Sequence, residues 1–351
     1  MSFLESIWSM VTHDIGIDLG TSSTLVALKG QGVIINEPSV VAVNQNTKQV
    51  LAVGAEAKRM IGRTPANIVA IKPLDDGVIS DFDSTEAMIR FFIQKVYELY
   101  PKFPHLPRPR VIIGIPSSIT EVEGRAVIDA ALSAGARKVY IIEEPMAAAV
   151  GARLPIDDAS GSMIVDIGAG TTDIAVISLG GIVVDNTIRI AGNEFDEEIL
   201  NYARHKYNIL IGQKMAEDIK IAIGSAVPLK KETSIDAKGR DLVTGLPRVV
   251  SMSSVEVREA MTKVLEKLSD AIKEAIEQSP PEILADLLDR GITLAGGGAL
   301  IQGIDKFMEE RLNTPVIIAE DPLTAVVRGT EILLDEIELL ERIQVKGDNI
   351  I

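Results

Sequence analysis

Short runs of β-branched residues alternate along the chain with stretches whose apolar residues recur at helical spacing. Such runs predict strands, and their alternation with helices is typical of an α/β fold. The predicted strands are Ile15–Leu19, Thr24–Leu28, Val40–Val43, Val111–Ile115, Val139–Ile142, Met163–Ile167, Ile174–Leu179, Ile182–Arg189 and Ile292–Ala295.

Three longer helices carry start signals. A Ser, Thr or Asp followed three residues later by Glu predicts a capping box, in which each residue binds the other's backbone N–H. The predicted boxes are Asp83 with Glu86, Thr120 with Glu123, and Ser253 with Glu256. They begin helices over 84–100, over 121–134 and from 253 to the prolines at 280 and 281. The apolar face of the first helix would hold Met88, Phe91, Phe92, Val96 and Leu99.

One sequence pattern occurs twice. Residues 17–24 read IDLGTSST and residues 165–172 read VDIGAGTT, so the second copy begins 148 positions after the first. Each copy follows a predicted strand and precedes another. The repeat predicts two related domains, each with a strand–turn–strand that carries an aspartate, facing each other across a cleft.

These turns have the composition of a phosphate site. Glycine and small hydroxyl residues let backbone N–H groups approach phosphate oxygens. An aspartate at the strand end can hold Mg²⁺ through water, since that ion takes few carboxylates. The alternative is two hairpins whose Asp and Gly only shape the turn. Two matched copies one domain apart favour the phosphate interpretation.

Three further segments could complete such a site. The glycines of residues 294–300 (LAGGGAL) could approach a base or ribose, or could form a packing turn. Glu217 and Lys220, one helical turn apart, could hold a nucleoside or form a surface ion pair. Glu143 or Glu144, after a strand, could orient an attacking water or could cap the alanine-rich helix that follows.

Composition excludes several classes of protein. The chain of 351 residues has a net charge of −15 and no cysteine, and it has three histidines. We therefore expect no nucleic-acid binding, no disulfides and no zinc site. No P-loop or nucleophile elbow occurs. With no apolar run of 18 residues and no basic leader, we expect a cytoplasmic location.

The combined motifs resemble the actin, sugar kinase and heat-shock chaperone ATPase superfamily, and within it the MreB family of bacterial actin-like cell-shape proteins. The resemblance covers essentially the whole chain. Its segments are 14–21 (DIGIDLGT), 36–41 (NEPSVV), 52–54 (AVG), 76–81 (DGVISD), 144–149 (EPMAAA) and 294–300 (LAGGGAL).

The resemblance implies an α/β actin-like ATPase fold of two related domains, each with a large and a small subdomain, around a nucleotide cleft. Residues 1–12 would bind membrane, and 13–149 would form domain I, with its small subdomain at about 36–71. Residues 150–320 would form domain II, with its small subdomain at about 191–246, and 321–351 would return to domain I.

ATP and Mg²⁺ are the implied ligands. The first phosphate turn would use Asp18, Gly20, Thr21, Ser22 and Ser23. The second would use Asp166, Gly168, Ala169, Gly170, Thr171 and Thr172. Asp18 and Asp166 would hold Mg²⁺ through water. The nucleoside would contact Glu217, Lys220, Gly296, Gly297, Gly298 and Ala299. Glu144 would position the attacking water.

The second turn departs from the family's Gly-Gly-Gly-Thr-Thr-Glu at Ala169 and Asp173. Alanine does not adopt a positive φ cheaply. A turn that required positive φ at Ala169 would therefore have altered phosphate contacts.

The first eleven residues predict a helix with one apolar stripe, which suits either a membrane interface or the protein's own core. The stripe is Phe3, Leu4, Ile7, Trp8 and Val11. The family resemblance favours the membrane, and adds Phe103 and Leu106 in the proline-rich loop 101–110. Glu5 is the only charged residue before Asp14, so binding would depend on apolar insertion rather than on basic charge.

The resemblance implies a slow ATPase that polymerises head-to-tail into paired protofilaments. The filaments would lie on the inner face of the cell membrane and organise the cell-wall elongation machinery to set cell shape. The alternative is a small-molecule kinase or a regulatory ATPase of the same superfamily.

Overall fold

The computed structural model describes residues 12–65, 67–101 and 108–345. Its strands are β1 (Asp14–Leu19), β2 (Ser23–Leu28), β3 (Gly32–Pro38), β4 (Val41–Asn44), β5 (Val50–Val53), β6 (Ile68–Ile71), β7 (Leu74–Asp75), β8 (Val78–Ile79), β9 (Arg110–Ile115), β10 (Lys138–Glu143), β11 (Ser162–Ile167), β12 (Thr172–Ser178), β13 (Gly181–Ile188), β14 (Ile209–Ile211), β15 (Ser234–Asp241), β16 (Pro247–Ser253), β17 (Ile292–Ala295) and β18 (Val316–Ile318).

The helices are α1 (Ala55–Met60), α2 (Phe82–Leu99), α3 (Glu121–Ser133), α4 (Glu144–Gly151), α5 (Gly192–Tyr207), α6 (Gln213–Ile223), α7 (Ser254–Gln278), α8 (Pro281–Arg290), α9 (Ile304–Leu312), α10 (Ala325–Asp335) and α11 (Ile337–Ile343). Short 3₁₀ helices cover Gly297–Leu300 and Pro322–Thr324. In the described residues, no helix is long and apolar enough to cross a membrane.

The chain divides into two compact units. Unit 1 contains the described residues up to Ala159, residues 177–182 and the described residues from Thr324 onward. Unit 2 contains residues 160–176 and 183–323.

The main sheet of unit 1 has the strand order β10-β9-β1-β2-β3. Strand β1 pairs parallel with β9 and antiparallel with β2, and β9 pairs parallel with β10. The carboxyl ends of β1, β9 and β10 therefore lie at one edge of the sheet. Opposite residues near that edge are Asp18, Gly114 and Ile142.

The second five-stranded sheet has the order β13-β12-β11-β17-β18, which repeats the order of the first. Strand β11 takes the place of β1, and β17 pairs with it in parallel as β9 does with β1. Asp166 is the next-to-last residue of β11, as Asp18 is of β1. The two copies of the sequence pattern thus occupy the same topological position.

Each unit also has a small sheet. In unit 1 the order is β5-β4-β6, and in unit 2 it is β14-β15-β16. The cores of the two units are separate apolar clusters, one around Phe92 and one around Phe195, which are both fully buried.

Two of the three predicted capping boxes are confirmed, those of Thr120 with Glu123 and Ser253 with Glu256. The third prediction is wrong. Helix α2 is capped by Asp81, whose Oδ1 accepts a hydrogen bond from the Ser84 N–H at 2.7 Å. Because α2 begins two residues earlier than predicted, Asp83 lies inside its first turn. Leu99 is also not on the buried face, since it is 53% exposed.

Helices α4 and α10 pack at backbone contact. A Cβ at Gly151 would lie 1.9 Å from the Ala325 carbonyl oxygen, and one at Gly329 would lie 1.8 Å from the Ala147 carbonyl oxygen. Only glycine fits at either crossing point. The contact fixes the C-terminal helix α10 against α4, the helix that begins with Glu144.

We predict that Gly329→Ala lowers the free energy of unfolding by about 3 kcal/mol, because the new methyl group overlaps a backbone carbonyl. The control is Gly124→Ala inside α3, where a Cβ would lie 3.4 Å from the Ile141 Cδ1 methyl. In the control, the higher helix propensity of alanine should leave stability unchanged or raised. Denaturant unfolding of both variants tests this, and equal effects would contradict the assigned crossing.

Candidate functional site

The first turn joins β1 to β2 and begins two residues after Asp18. A Cβ at Gly20 would lie 2.8 Å from the Ser23 carbonyl oxygen and 3.7 Å from Asp18 Oδ1. Real Cβ atoms do not approach a backbone oxygen so closely, so this position needs glycine. Its missing side chain lets the backbone of the turn close beside the carboxylate.

Thr21 is tied to a hairpin that the sequence did not link to it. Its Oγ1 accepts a hydrogen bond from the Gly77 N–H at 2.9 Å, and Thr21 is 7% exposed. Gly77 has φ +75° and packs on Pro116, where a Cβ would lie 2.2 Å from Cγ. Because the hydroxyl oxygen already accepts from Gly77, the hydroxyl hydrogen of Thr21 is suited to donate to a phosphate oxygen.

Asp18 lies in a setting that disfavours its charge. Burial raises the pKa of its carboxyl to about 7. A cation beside the carboxylate would reverse this effect. In the described residues, no three His, Cys, Asp or Glu side chains form a metal cluster. A single strand-end carboxylate such as that of Asp18 has the chemistry to hold a magnesium ion that keeps most of its waters.

Glu144 stands at the same edge of the unit 1 sheet as Asp18. It is the first residue of α4 and 9% exposed. Its Cγ lies 3.4 Å from the place of a Cβ on Gly114, the residue opposite Asp18 in the β1–β9 pair. A Cβ at Gly114 would meet Val326 Cγ1 at 2.9 Å, whereas 3.4 Å to Glu144 is ordinary van der Waals contact, so Glu144 packs beside Gly114 at the end of β1. The capping alternative fails for Glu143, which is the N-cap residue but makes no side-chain cap bond.

The second turn, between β11 and β12, is closed by backbone bonds. The Gly168 N–H donates to the Thr171 carbonyl at 2.9 Å, and the Asn193 N–H donates to the Ala169 carbonyl at 2.8 Å. These bonds fix the turn against the first residues of α5. The site residues of this turn, 168–172, are all in unit 2 together with Asp166.

The two departures from the family pattern are accommodated. Ala169 does not have a positive φ, so alanine causes no backbone strain there. Asp173 is 1% exposed, and its Oδ1 accepts a hydrogen bond from the Thr187 hydroxyl at 2.7 Å. Asp173 therefore joins β12 to β13.

The third glycine segment lies directly against the second turn's aspartate. Gly296 has φ +78°, and a Cβ there would lie 2.4 Å from Asp166 Oδ1 and from the Ile167 carbonyl oxygen. A Cβ at Gly298 would lie 2.2 Å from Ile167 Cγ2. A 3₁₀ helix over Gly297–Leu300 follows at once, and α9 begins at Ile304. Asp166 and the glycine segment therefore form one continuous surface.

Lys220 supports the second turn from α6. Its Nζ donates to the Gly192 carbonyl at 2.7 Å and pairs with Asp196 at 2.9 Å, with both side chains largely buried. Gly192 in turn donates its N–H to the Gly168 carbonyl at 3.1 Å. Lys220 therefore forms a largely buried ion pair with Asp196. Glu217 is half-buried on the same helix.

Two of the three groups of predicted site residues are therefore placed. Unit 1 brings together Asp18, Gly20, Thr21, Ser22, Ser23 and Glu144. Unit 2 brings together Asp166, residues 168–172, Lys220 and residues 296–299. The predicted membrane residues Phe3, Leu4, Ile7, Trp8, Val11, Phe103 and Leu106 lie outside the described residues. Sequence reasoning missed Gly77, Gly114 and Ser39, which contact the first turn or Glu144 from distant segments.

Comparison with known proteins identifies the family of this chain. Residues 12–342 match the MreB/Mbl protein family. The chain belongs to this family. It is 49% identical over 335 residues to the cell shape-determining protein Mbl of Bacillus subtilis, covering 95% of this chain and 99% of the relative. It is 48% identical over 340 residues to the cell shape-determining protein MreB of Escherichia coli, covering 96% and 97%.

Solved structures show the same fold. MreB5 of Spiroplasma citri, in structures bound to ADP and to AMPPNP, has a TM-score of 0.87 and 41% identity, covering 93% of this chain and 97% of that one. A MamK double helical filament has a TM-score of 0.77 at 24% identity, covering 92% and 99%. This MreB/Mbl chain therefore has the actin-like fold.

We predict that Lys220→Met lowers the free energy of unfolding by about 3 kcal/mol, because it leaves Asp196 as a buried charge without its cation. Lys214→Met is the matched control on the same helix. Lys214 pairs with Asp218, but its side chain is 74% exposed, so stability should not change measurably. Equal thermal unfolding of the two variants would refute a structural role for Lys220.

Proposed function

We propose that this chain binds and slowly hydrolyses ATP, polymerises into filaments on the inner face of the cell membrane, and organises cell-wall synthesis to set cell shape. One observation carries the nucleotide part of the proposal. The same aspartate–glycine turn stands at the same strand end of both main sheets, and in unit 2 it adjoins a glycine segment. That combination suits a ligand with both phosphates and a nucleoside.

The phosphates would be held mainly by backbone N–H groups of residues 20–23 and 168–172. The Thr21 hydroxyl adds a donor oriented by Gly77. Asp18 and Asp166 would hold Mg²⁺ through its waters, and when bound this ion neutralises negative charge on the phosphates. Gly296 and Gly298 let this segment pack closely on Asp166 and Ile167, so its backbone lies beside the second turn, where it would contact ribose or base. The family relatives that bind ADP and AMPPNP support the same choice of ligand.

Glu144 is the residue we assign to the attacking water. Glu144 belongs to the end of the unit 1 sheet that also carries Asp18, and its side chain packs beside Gly114, the residue opposite Asp18. A carboxylate there can accept a hydrogen bond from a water and orient its lone pair toward the γ-phosphate. A single orienting residue without a strong base is consistent with slow hydrolysis.

We predict that Glu144→Gln slows phosphate release about 100-fold while ATP still binds, because a neutral amide oxygen is a weaker acceptor than a carboxylate and is not basic enough to assist proton loss from the water. Glu143→Gln is the neighbouring control, and its rate should match that of the unsubstituted chain. Phosphate release and ATP affinity are measured for both. An unchanged rate in Glu144→Gln would remove Glu144 from this role, and a selective loss in Glu143→Gln would transfer it.

The proposal of filament formation rests on the small size of one chain relative to a cell and on family membership. Relatives are named for determining cell shape, yet one chain of 351 residues is far smaller than a cell. Head-to-tail contacts repeat without closing and so build structures of the required length. The tip of the β15–β16 hairpin supplies exposed apolar side chains suited to such contacts: Val243 is 83% exposed and Leu246 is 65% exposed.

Membrane association is supported by where the two candidate segments join the described structure. The His13 N–H donates to the Tyr97 hydroxyl at 3.1 Å, and His13 Nε2 lies 2.6 Å from the Tyr100 carbonyl oxygen. Asp14 pairs with Arg110, which follows the proline-rich loop. The N-terminal stripe and that loop therefore join unit 1 at the same edge. Many weak anchors on one filament would add up to strong binding.

We predict that deletion of residues 2–11 weakens binding to lipid vesicles at least tenfold, because the apolar stripe is lost. The deletion stops before Thr12, which is 1% exposed and part of the fold. Co-flotation with vesicles in low and high salt measures the effect. Because the stripe has no basic residue, salt should change binding by the full chain little. Equal flotation of the two proteins would contradict the anchor.

A further inference from the structure

We propose that Ser39 is a positioning residue for the first phosphate turn, and that it connects this turn to the small β5-β4-β6 sheet. This inference rests on the proposed nucleotide binding. Ser39 is fully buried in the link between β3 and β4, away from the turn in sequence. Neither the repeat nor the glycine pattern of the sequence indicates it.

Two bonds join Ser39 to the turn. Its Oγ donates to the Gly20 carbonyl at 2.6 Å, and its backbone N–H donates to the Ser22 carbonyl at 3.0 Å. Gly20 and Ser22 thereby have their carbonyl oxygens held on the protein side of the turn. A peptide whose carbonyl is fixed has its plane fixed, so the N–H groups of the same turn are held in a set orientation. Those N–H groups are the proposed phosphate donors.

The serine is itself oriented by Thr24. The two side-chain oxygens lie 2.9 Å apart, and Thr24 is fully buried on β2. A serine hydroxyl has one hydrogen, and here that hydrogen goes to Gly20. Thr24 must therefore donate to Ser39 Oγ. The hydroxyls form a directed chain from Thr24 through Ser39 to the Gly20 carbonyl, in which each bond strengthens the next.

Ser39 also lies directly before the small sheet of unit 1. Val40, directly after Ser39, accepts at its carbonyl the Gly54 N–H at 2.9 Å, and β4 starts at Val41. A shift of β4 would therefore act on Ser39 and through it on Gly20. This gives nucleotide binding at the turn a short covalent and hydrogen-bonded path to the small sheet.

A double-mutant cycle tests the assignment. Ser39→Ala removes the bonds to Gly20 and Thr24, and we expect Mg-ATP to bind about tenfold more weakly. Thr24→Val removes only the orienting donor at nearly equal volume, so we expect a loss of about threefold. Ser39→Ala alone already breaks the series of hydrogen bonds from Thr24 to Gly20. The double variant should therefore bind Mg-ATP as Ser39→Ala does. Affinity is measured by calorimetry on the full chain.

The control is Ser269→Ala in α7 of unit 2, a serine that is 4% exposed. It should leave the ATP affinity unchanged. If Ser39 had a role in folding alone, Ser39→Ala would have a lower melting temperature in the absence of nucleotide. Its ATP affinity and the rise in melting temperature on adding ATP would be those of the unsubstituted chain. That result, or additive losses in the double variant, would overturn the assignment. If the unsubstituted chain bound no nucleotide, the proposed function would fall as well.

Discussion

The proposed site depends on one constraint, the tight closure of a turn beside an aspartate at the end of a strand. At Gly20 and at Gly296 a single added carbon would meet a backbone oxygen, at 2.8 Å and 2.4 Å. The absence of these side chains leaves Asp18 and Asp166 next to open backbone. A carboxylate and several N–H groups can then act on one charged ligand.

Each unit supports its turn in a different way. In unit 1 the support comes from hydroxyl groups, with Ser39 on Gly20 and Thr21 on Gly77. In unit 2 one hydroxyl bond, from Thr172 to the Ile190 carbonyl, is joined by backbone bonds to α5 and by the buried pair of Lys220 with Asp196. Equivalent positions in the two sheets have therefore acquired different surroundings. Nucleotide contacts in unit 1 should be sensitive to small polar changes, and those in unit 2 to loss of a charge.

The sequence was sufficient to predict those features in which the interacting residues are close together along the chain. The capping boxes at Thr120 and Ser253 need only four consecutive residues, and both formed. The strand ends at Asp18 and Asp166 followed from a pattern that occurs twice. The prediction of a capping box at Asp83 was wrong because Asp81, two residues earlier, has the same side chain and caps the helix instead. A local pattern does not tell which of the two aspartates begins the helix.

The parts that the sequence did not predict depend on contacts between distant residues. Asp196 lies 24 residues before Lys220, and Gly77 lies 56 residues after Thr21. Nothing in the spacing of either pair marks it. Strands β15 and β16 were also missed, because outward-facing polar residues interrupt their apolar pattern, and β14 was missed because it has only three residues.

The central claim is that the turns of both units take part in binding one ATP. Calorimetric titration with Mg-ATP of the full chain and of two folded variants, Gly20→Ala in unit 1 and Gly296→Ala in unit 2, tests it most directly. The account predicts one ATP per chain, with binding lost in both variants. Unchanged binding in either variant would contradict it, because one unit would then bind the nucleotide without the other.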